Sequence, residues 1–353
     1  MGDNPGSAAR ATSGLHQPAE WAEHRAVWVA WPCDVDLWAQ TLPDVQAAFA
    51  GMCRAIADPD PTTGAARGER LEVLVPDAAR EGEARAGLAG LGARFHVIPF
   101  GDIWMRDIAP IFLVAADGAR GAARFMFNGW GEKYRLTYDD GVAAAVVAAA
   151  GLPEWVYELV LEGGSVEVDG EGTILTTKQC VLNPNRNPGA TREELEAFLC
   201  EALGGERVLW LGDGLLHDHT DGHVDTLARF VAPGVVVCME ARAADDPNRA
   251  VLERIGRDLE AMVDARGRRL EVMRVPSPGR VVDARGEVMP ASYVNFYIGN
   301  RAVVVPTYGS IYDAAALATL GPLFPGRAVV GVDARSLLEG GGAFHCITQQ
   351  EPA

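Results

Sequence analysis

The sequence predicts a single α/β domain built from small repeated units. Short β-rich runs alternate with helical patterns through all 353 residues, and paired runs recur between the helices. No long Gly- or Ser-rich linker divides the chain. The length alone is compatible with two domains, but an unbroken alternation favours one repeated architecture over two domains joined by a hinge. The periodicity does not give the number of units.

The predicted strands are short runs, several of which pair through tight turns. SVEVDGEGTILTT alternates around Asp169–Gly172, and NFYIGNRAVVV turns at Gly299-Asn300, so both predict β-hairpins. The other strand candidates are LEVLVP, RFHVIPF, PIFLV, RFMF, RVLWLG, GVVVCM, LEVMRVP and RAVVGVD.

Six helices are predicted between these strands, near residues 41–57, 79–91, 140–150, 191–203, 246–265 and 313–321. The fourth has a clear start, because Thr191 can cap it and Glu194 follows three residues later. A similar opening is expected after Asp246-Pro247.

Composition limits the classes of partner. The chain carries a formal net charge of −17 with 48% hydrophobic and 22% charged residues, which is typical of a globular protein. Nucleic acid and anionic membranes would repel it, whereas a cationic small molecule would be mildly attracted. We therefore expect neither nucleic acid nor a membrane as a partner.

The six cysteines contain no CxxC pair, which predicts free thiols in a reduced, cytoplasmic protein. The N-terminus lacks a basic start followed by an apolar run, so a signal peptide is not expected. Residues 1–17 are predicted to be a disordered lead-in, and residues 18–353 a single domain. The longest apolar run, VAAAVVAAAGL, is too short to span a bilayer.

Cys346 is the first candidate for chemistry. It stands in GGAFHCITQQEP, four residues after the last residue of a glycine run and close to the C-terminus. Most free cysteines are small buried apolar residues, and that reading stays open. A glycine-rich loop, however, permits close backbone approach to a ligand and suits a reactive thiolate.

The segment HDHTDGHVD is the second candidate. His217, His219 and His223 could form a zinc site, although the HxHxxxH spacing and the missing further ligands argue against it. A solvated polar loop suits His217 and His219. The alternation in GHVDTLARFV predicts a strand that places His223 and Asp225 on one face, an arrangement suited to proton transfer beside a bound cation.

Three further motifs place acids beside tryptophans or glycines. In DIWMRDIAP, Trp104 and Asp107 could form a cation pocket, although Arg106 could instead simply pair with the acid. Glu162 precedes a Gly-Gly pair, and Trp130 lies between two glycines, so either a turn or a ligand site is possible. Carboxylates around one thiol favour a cationic, planar, electrophilic group such as guanidinium.

Together these motifs resemble the agmatine deiminase family, within the guanidino-group-modifying superfamily that includes bacterial peptidylarginine deiminases. The resemblance runs from about Pro18 to Pro352. Its motifs are PAEW, AWP, DIWMRDIAP, FNGWGEKY, EGGSVEVDGEGTILTT, LNPNRNP, TDGHVDTLARFV, YVNFYIGN and GGAFHCITQQEP. It implies a five-bladed α/β propeller (the pentein fold) of ββαβ-type units, with the active site in the central channel and an ordered C-terminus that carries Cys346 into it.

The resemblance also implies catalytic roles. Cys346 would attack the guanidinium carbon, Asp107 and Asp225 would hold its nitrogens, and Glu162 would be a further acid beside it. His223 would protonate the departing ammonia and then activate water. The products from agmatine would be N-carbamoylputrescine and ammonia, in polyamine and arginine metabolism, through an amidino-cysteine intermediate.

The remaining implied residues bind substrate: Trp104, Trp130, Asn295 and Gly342. The resemblance implies no metal and no organic cofactor, and it implies a homodimer or homotetramer. The same chemistry on another guanidine (arginine, peptidyl arginine or a guanidinoalkylamine) stays open, as does the less favoured zinc hydrolase. One departure bears on this choice, because Ala343-Phe344 stand where the family usually has Asn-Ile.

Overall fold

The computed structural model describes residues 14–353, and in this part of the chain sixteen strands form five small sheets. The first sheet has the order β16-β1-β2-β3, and the other four each take three consecutive strands. The strands are β1 His24–Ala30, β2 Arg70–Val75, β3 Arg94–Val97, β4 Ile111–Val114, β5 Arg120–Met126, β6 Glu154–Val160, β7 Val166–Val168, β8 Thr173–Thr177, β9 Arg207–Leu211, β10 Ala228–Ala232, β11 Val235–Glu240, β12 Glu271–Pro276, β13 Tyr297–Ile298, β14 Ala302–Thr307, β15 Ala328–Asp333 and β16 Gln349–Pro352.

Six helices of eight or more residues connect strands in the described chain. They are α1 Leu42–Ala57, α2 Ala78–Gly87, α3 Asp139–Ala150, α4 Arg192–Leu203, α5 Arg249–Ala261 and α6 Asp313–Leu320. Shorter helical turns lie at Val35–Trp38, Ala39–Thr41, Met105–Ile108, Gly129–Glu132, Gly163–Ser165, Lys178–Val181, Val224–Thr226, Gly321–Leu323 and Arg335–Leu338. None of the described helices is both long and apolar enough to cross a bilayer.

Every sheet repeats one plan, in which an antiparallel pair is extended by one parallel strand, or by two in the first sheet. In the third sheet β7 and β8 are antiparallel and β9 lies parallel to β8, with α4 in the connection. A parallel neighbour requires a crossover, and a helix supplies it. Both predicted hairpins are confirmed, because β7 pairs with β8 and β13 pairs with β14. The predicted α/β architecture of repeated ββαβ units is likewise the one observed.

The C-terminal strand completes the first sheet. β16 pairs antiparallel with β1, from His24 opposite Pro352 to Trp28 opposite Gln349. The indole of Trp28 also donates to Oε2 of Glu351 over 2.9 Å. Because β16 pairs with β1, the segment that carries Cys346 is held in the buried interior. This agrees with the expectation of an ordered C-terminal segment.

The predicted helix starts have mixed outcomes. Thr191 and Glu194 form a complete capping box at α4. The opening expected at Asp246-Pro247 is wrong, since α5 begins at Arg249 and the side chain of Asn248 makes no capping bond. Asp246 accepts instead from the backbone N–H of Asn248 and from the hydroxyl of Ser277, which holds the loop rather than the helix.

The predicted lead-in is too long at its C-terminal end. Leu15 is buried, His16 forms a β-bridge with Val114, and the N–H of Gln17 donates to the carbonyl of Leu203. These contacts make residues 15–17 part of the folded domain. The first 13 residues of the proposed lead-in lie outside the described residues.

The strand expected over GHVDTLARFV is also shorter than predicted. β10 begins only at Ala228, whereas Val224–Thr226 form a 3₁₀ turn. The hydroxyl of Thr226 donates to the carbonyl of His223, and the N–H of Leu227 donates to that of Val224. Local bonds of this kind compete with an extended ladder and hold the segment in a turn.

Candidate active site

A cleft of about 380 Å³ opens beside the C-terminal glycine loop. Four aromatic side chains and three acids line it, together with the Cys346 thiol. None of the described residues that line it is Lys or Arg. The lining comprises Leu37, Trp38, Ala39, Gln40, Thr41, Asp102, Trp104, Asp107, Trp130, Tyr134, Leu136, His219, Thr220, Glu339, Gly340, Gly341, Gly342 and Cys346. A site of this composition favours a cation with an apolar body.

Cys346 lines this cleft and is 6% exposed. The amide of Asn295 is in contact with it, with Nδ2 at 3.2 Å and Oδ1 at 3.4 Å from Sγ. The N–H of Arg106 donates to the carbonyl of Cys346 over 3.0 Å and ties the two segments together. Asn295, predicted as a substrate-binding residue, therefore lies against the thiol itself.

Gly342 allows the backbone to approach both the thiol and a wall of the cleft. A Cβ at this position would lie 3.1 Å from Sγ of Cys346 and 2.5 Å from the ring of Trp104. Any larger residue would displace one of them, so the glycine is needed for the close packing of loop, thiol and indole. Gly342 and Trp104, which the resemblance implies as substrate-binding residues, both line the cleft.

Asp107, His223 and Asp225 converge over the backbone of Gly164. A Cβ built there would lie 2.6 Å from Nδ1 of His223, 3.0 Å from Oδ1 of Asp107 and 3.1 Å from Oδ2 of Asp225. Sγ of Cys346 is 3.7 Å from Oδ2 of Asp225. Strand alternation predicts His223 and Asp225 on one face; in the structure the 3₁₀ turn at Val224–Thr226 brings them together instead.

Asp107 is held by donors from two other segments. The indole of Trp130 donates to Oδ2 over 2.9 Å, and the N–H of Gly164 donates to Oδ1 over 3.0 Å. Trp130 adopts a left-handed backbone conformation with φ 52°, unusual for a bulky residue. Trp130, which the resemblance implies as a substrate-binding residue, is thus also a hydrogen-bond donor that orients the Asp107 carboxylate.

Glu162 is oriented by Arg186 from the LNPNRNP segment. Nε of Arg186 donates to Oε1 over 2.8 Å, and both side chains are 1% exposed. The other carboxylate oxygen, Oε2, lies 3.9 Å from Nε2 of His223. His223 is therefore flanked by two acids, since its Nδ1 lies 3.8 Å from Oδ1 of Asp107.

Several buried polar atoms of these side chains have no hydrogen-bond partner. They are Oε2 of Glu162, both ring nitrogens of His223 and Oδ1 of Asp225. Leaving such an atom unpaired costs about 1–3 kcal/mol each, and proteins pair nearly all buried polar atoms. The two carboxylate oxygens among them, Oε2 of Glu162 and Oδ1 of Asp225, can only accept hydrogen bonds, so a ligand with several N–H donors would complete their hydrogen bonding.

Burial and the nearby carboxylates oppose ionisation of the Cys346 thiol. Burial, followed by the carboxylates of Asp225 and Asp107, raises the pKa of Cys346 well above its usual range. Burial alone would lower the pKa of His223, but Asp107, the Cys180 thiol and Glu162 outweigh it and raise that pKa. The raised pKa values favour a neutral Cys346 thiol and a protonated His223 imidazole, and a cation bound near the thiol would favour the thiolate.

Alkylation of Cys346 tests this charge state. Without ligand, we expect slow reaction with iodoacetamide at pH 7 and a rise of about tenfold per pH unit up to pH 9, because the thiolate fraction grows in that proportion below the pKa. The measurement is the modified fraction of the Cys346 peptide by mass spectrometry, which separates it from partly exposed Cys200. A rate that levels off below pH 8 would contradict the raised pKa.

The three histidines of the zinc alternative do not come together. His217 and His219 are exposed, and their Nδ1 atoms contact the carbonyl of Val288 and the hydroxyl of Tyr134. Among the described residues, the group that could hold a metal ion is Glu162, Cys180 and His223, whose ligand atoms lie within 4.8 Å of one another. The structure thus contradicts a site built from His217, His219 and His223.

Sequence reasoning missed several residues that support the site, although all of them lie inside quoted motifs. Asp102 accepts from the indoles of Trp38 and Trp104, and burial raises its pKa to about 6. Both tryptophans are thereby fixed in the cleft wall. The other missed residues are Glu20, Arg186 and His345; only their partners far along the chain reveal their role. Ala343 and Phe344, the departure from the family pattern, are buried and do not line the cleft.

Comparisons with known proteins agree on one family. A family model described as Porphyromonas-type peptidyl-arginine deiminase matches residues 16–352. The agmatine deiminase of Ectopseudomonas mendocina is 40% identical, with 96% of each chain covered. That of Pseudomonas aeruginosa strain LESB58 is 37% identical over 99% of this chain and 98% of the relative. The solved agmatine deiminase of Enterococcus faecalis has a TM-score of 0.88 at 33% identity, covering 97% of this chain and 96% of that one.

Proposed function

Because the chain belongs to the Porphyromonas-type peptidyl-arginine deiminase family, we propose that it is a cysteine-dependent hydrolase that converts agmatine to N-carbamoylputrescine and ammonia. The observation that carries the proposal is the pair of unpartnered carboxylate oxygens, on Glu162 and on Asp225 next to the Cys346 thiol, together with a cleft that the thiol lines and whose described lining has no Lys or Arg. A guanidinium brings a positive charge and five N–H donors to this position.

Binding comes first. Asp107 and Asp225 accept hydrogen bonds from the guanidinium nitrogens, and Glu162 supplies a further acceptor through its free Oε2. These hydrogen bonds to carboxylates keep the guanidinium charged, and its carbon is therefore electrophilic. The same positive charge lowers the pKa of the Cys346 thiol, which then releases its proton to solvent, so that substrate binding itself generates the nucleophile.

Chemistry then proceeds in two halves. The Cys346 thiolate bonds to the guanidinium carbon, and the tetrahedral adduct expels one nitrogen as ammonia after His223 protonates it. In the second half His223 takes a proton from water, the resulting hydroxide attacks the amidino carbon, and the carbon–sulfur bond breaks to release the carbamoyl product. The Asn295 amide, 3.2 Å from Sγ, stabilises the thiolate as the leaving group.

The cleft favours agmatine over arginine. An α-carboxylate would need a cationic partner, and the described lining offers none. Instead the lining includes the exposed carboxylate of Glu339, which suits the terminal ammonium of agmatine, while Trp104 and Trp130 can pack against the methylene chain. Since strands from both ends of the chain close one sheet, we propose that one domain performs the whole reaction.

Turnover of a guanidine panel tests the assignment. Ammonia and N-carbamoylputrescine are quantified with agmatine as substrate, and the corresponding ureido products with arginine, a peptidyl arginine and a longer guanidinoalkylamine. We expect the highest kcat/KM for agmatine. Turnover of only another guanidine would retain the mechanism and overturn the substrate, whereas no turnover of any guanidine would reject the function.

A further inference from the structure

A buried cluster of charged side chains lies next to Cys346, the proposed nucleophile. Its members are Glu20, Glu167, Asp225, Arg229 and His345, and each is at most 5% exposed. His345 immediately precedes Cys346 in the chain. Burying so many charges is costly unless each is paired, so their arrangement needs an explanation.

His345 is clamped between two carboxylates. Its Nδ1 lies 2.6 Å from Oδ2 of Asp225, and its Nε2 lies 2.8 Å from Oε2 of Glu20. An ionised carboxylate can only accept hydrogen bonds, so both ring nitrogens must donate. Only imidazolium carries a proton on both nitrogens, and the geometry therefore requires a positively charged His345.

Glu20 is itself fixed from two sides. NH2 of Arg229 donates to its Oε2 over 2.7 Å, and the N–H of Ile298 donates to its Oε1 over 2.8 Å. Arg229 is fully buried and also binds Oε2 of Glu167 over 2.8 Å. A chain of pairs thus runs from Arg229 through Glu20 and His345 to Asp225.

The last member of this chain faces the candidate site. Oδ2 of Asp225 is occupied by His345, whereas its Oδ1 is buried and has no partner. Burial would raise the pKa of Asp225, but the hydrogen bond and charge of His345 outweigh it and lower that pKa. One oxygen of the carboxylate is thereby held and the other is left available.

We propose that His345 is a positioning residue, kept as imidazolium by Glu20, which fixes Asp225 in the ionised form and orientation that binds the substrate guanidinium. The inference rests on the proposed function, because Asp225 needs this state only if it binds a cation. His345 touches no reacting atom; it acts through Asp225.

The charges around this chain agree with that role. The groups that face His345 are Asp225 from the 3₁₀ turn at Val224–Thr226, Glu20 from the N-terminal segment, Arg229 from β10, Glu167 from β7, and Arg106 from the turn at Met105–Ile108. Those that face Asp225 are His223, Asp107, Cys346 and His345. A neutral His345 could donate to only one carboxylate, which would leave the other buried and without that donor.

Glu20→Gln and Glu167→Gln form a matched pair of variants. Both acids are 5% exposed and both bind Arg229, yet Glu20 binds His345 and Glu167 does not. Each substitution therefore weakens an ion pair with Arg229, and any loss of folding stability from that cause is common to both variants. The measurements are kcat and KM for agmatine from pH 6 to pH 9, with thermal melting as the check on folding.

For Glu20→Gln we expect the decline of kcat/KM with rising pH to begin at lower pH than in the wild type, because the imidazolium has lost a carboxylate partner. At pH 8 the loss should be at least about tenfold, the factor that one pH unit of displacement produces, and KM should rise with it. Glu167→Gln should keep the wild-type profile. Matching profiles in the two variants would overturn the proposal.

A second measurement does not depend on turnover. The ring ¹⁵N signals of His345, assigned by comparison with His345→Gln, should show imidazolium at pH 8 in the wild type and in Glu167→Gln. A neutral ring in the wild type would overturn the inference even if the enzyme were fully active. Lack of guanidine turnover combined with imidazolium signals would instead reject the proposed function and leave the clamp intact.

Discussion

Cys346→Ser is expected to abolish turnover of agmatine, with a fall in kcat on the order of 10⁴-fold or more. A serine hydroxyl ionises far less readily than a thiol, and the side-chain hydrogen-bond contacts of Sγ among the described residues are with Asn295 and Asp225 rather than with a histidine that could activate it. The measurement is release of ammonia and N-carbamoylputrescine under saturating agmatine, with and without EDTA.

Cys200→Ser is the matched control, because it makes the same exchange at a partly exposed thiol that does not line the cleft. It should keep wild-type turnover, and EDTA should not affect either protein. Activity that survives Cys346→Ser but disappears with EDTA would overturn the thiol mechanism. It would direct attention to Glu162, Cys180 and His223, the described group able to hold a metal ion.

Gly164→Ala is expected to lower kcat/KM by about 10²- to 10³-fold while the protein remains folded. The added methyl would lie 2.6 Å from Nδ1 of His223 and about 3 Å from the carboxylates of Asp107 and Asp225, so all three must move. A misplacement of about 1 Å in a catalytic group costs on the order of 10²-fold in rate. The backbone of Gly164 does not have positive φ, so alanine adds no conformational strain.

Gly141→Ala controls for the substitution itself. Gly141 lies in α3, and a Cβ there would meet nothing within 4 Å. It should leave kcat/KM unchanged and raise the free energy of unfolding slightly, since alanine is the better helix former. Circular dichroism and thermal melting of both variants separate a perturbed site from a perturbed fold. Wild-type activity in Gly164→Ala would contradict the convergence of side chains at this position.

Local sequence patterns predicted much of the secondary structure. The turns at Asp169–Gly172 and Gly299-Asn300 and the Thr191 capping box depend on bonds between near neighbours in the chain, so their residues predict them directly. Predictions failed where a local alternative was available. Asp246 holds a loop rather than a helix start, and the hydroxyl of Thr226 helps keep a turn where alternation suggested a strand.

The sequence by itself determined which residue types were available for chemistry: a thiol after a glycine run, a histidine, and acids in recurring motifs. Only the tertiary structure decided how they meet, because closure of β16 on β1 brings Cys346 to Asp225, some 120 positions earlier in the chain. The same closure places His345 between Glu20 and Asp225. Spacing along the chain could not predict that clamp, since its geometry depends on how distant strands pack around one shared interior.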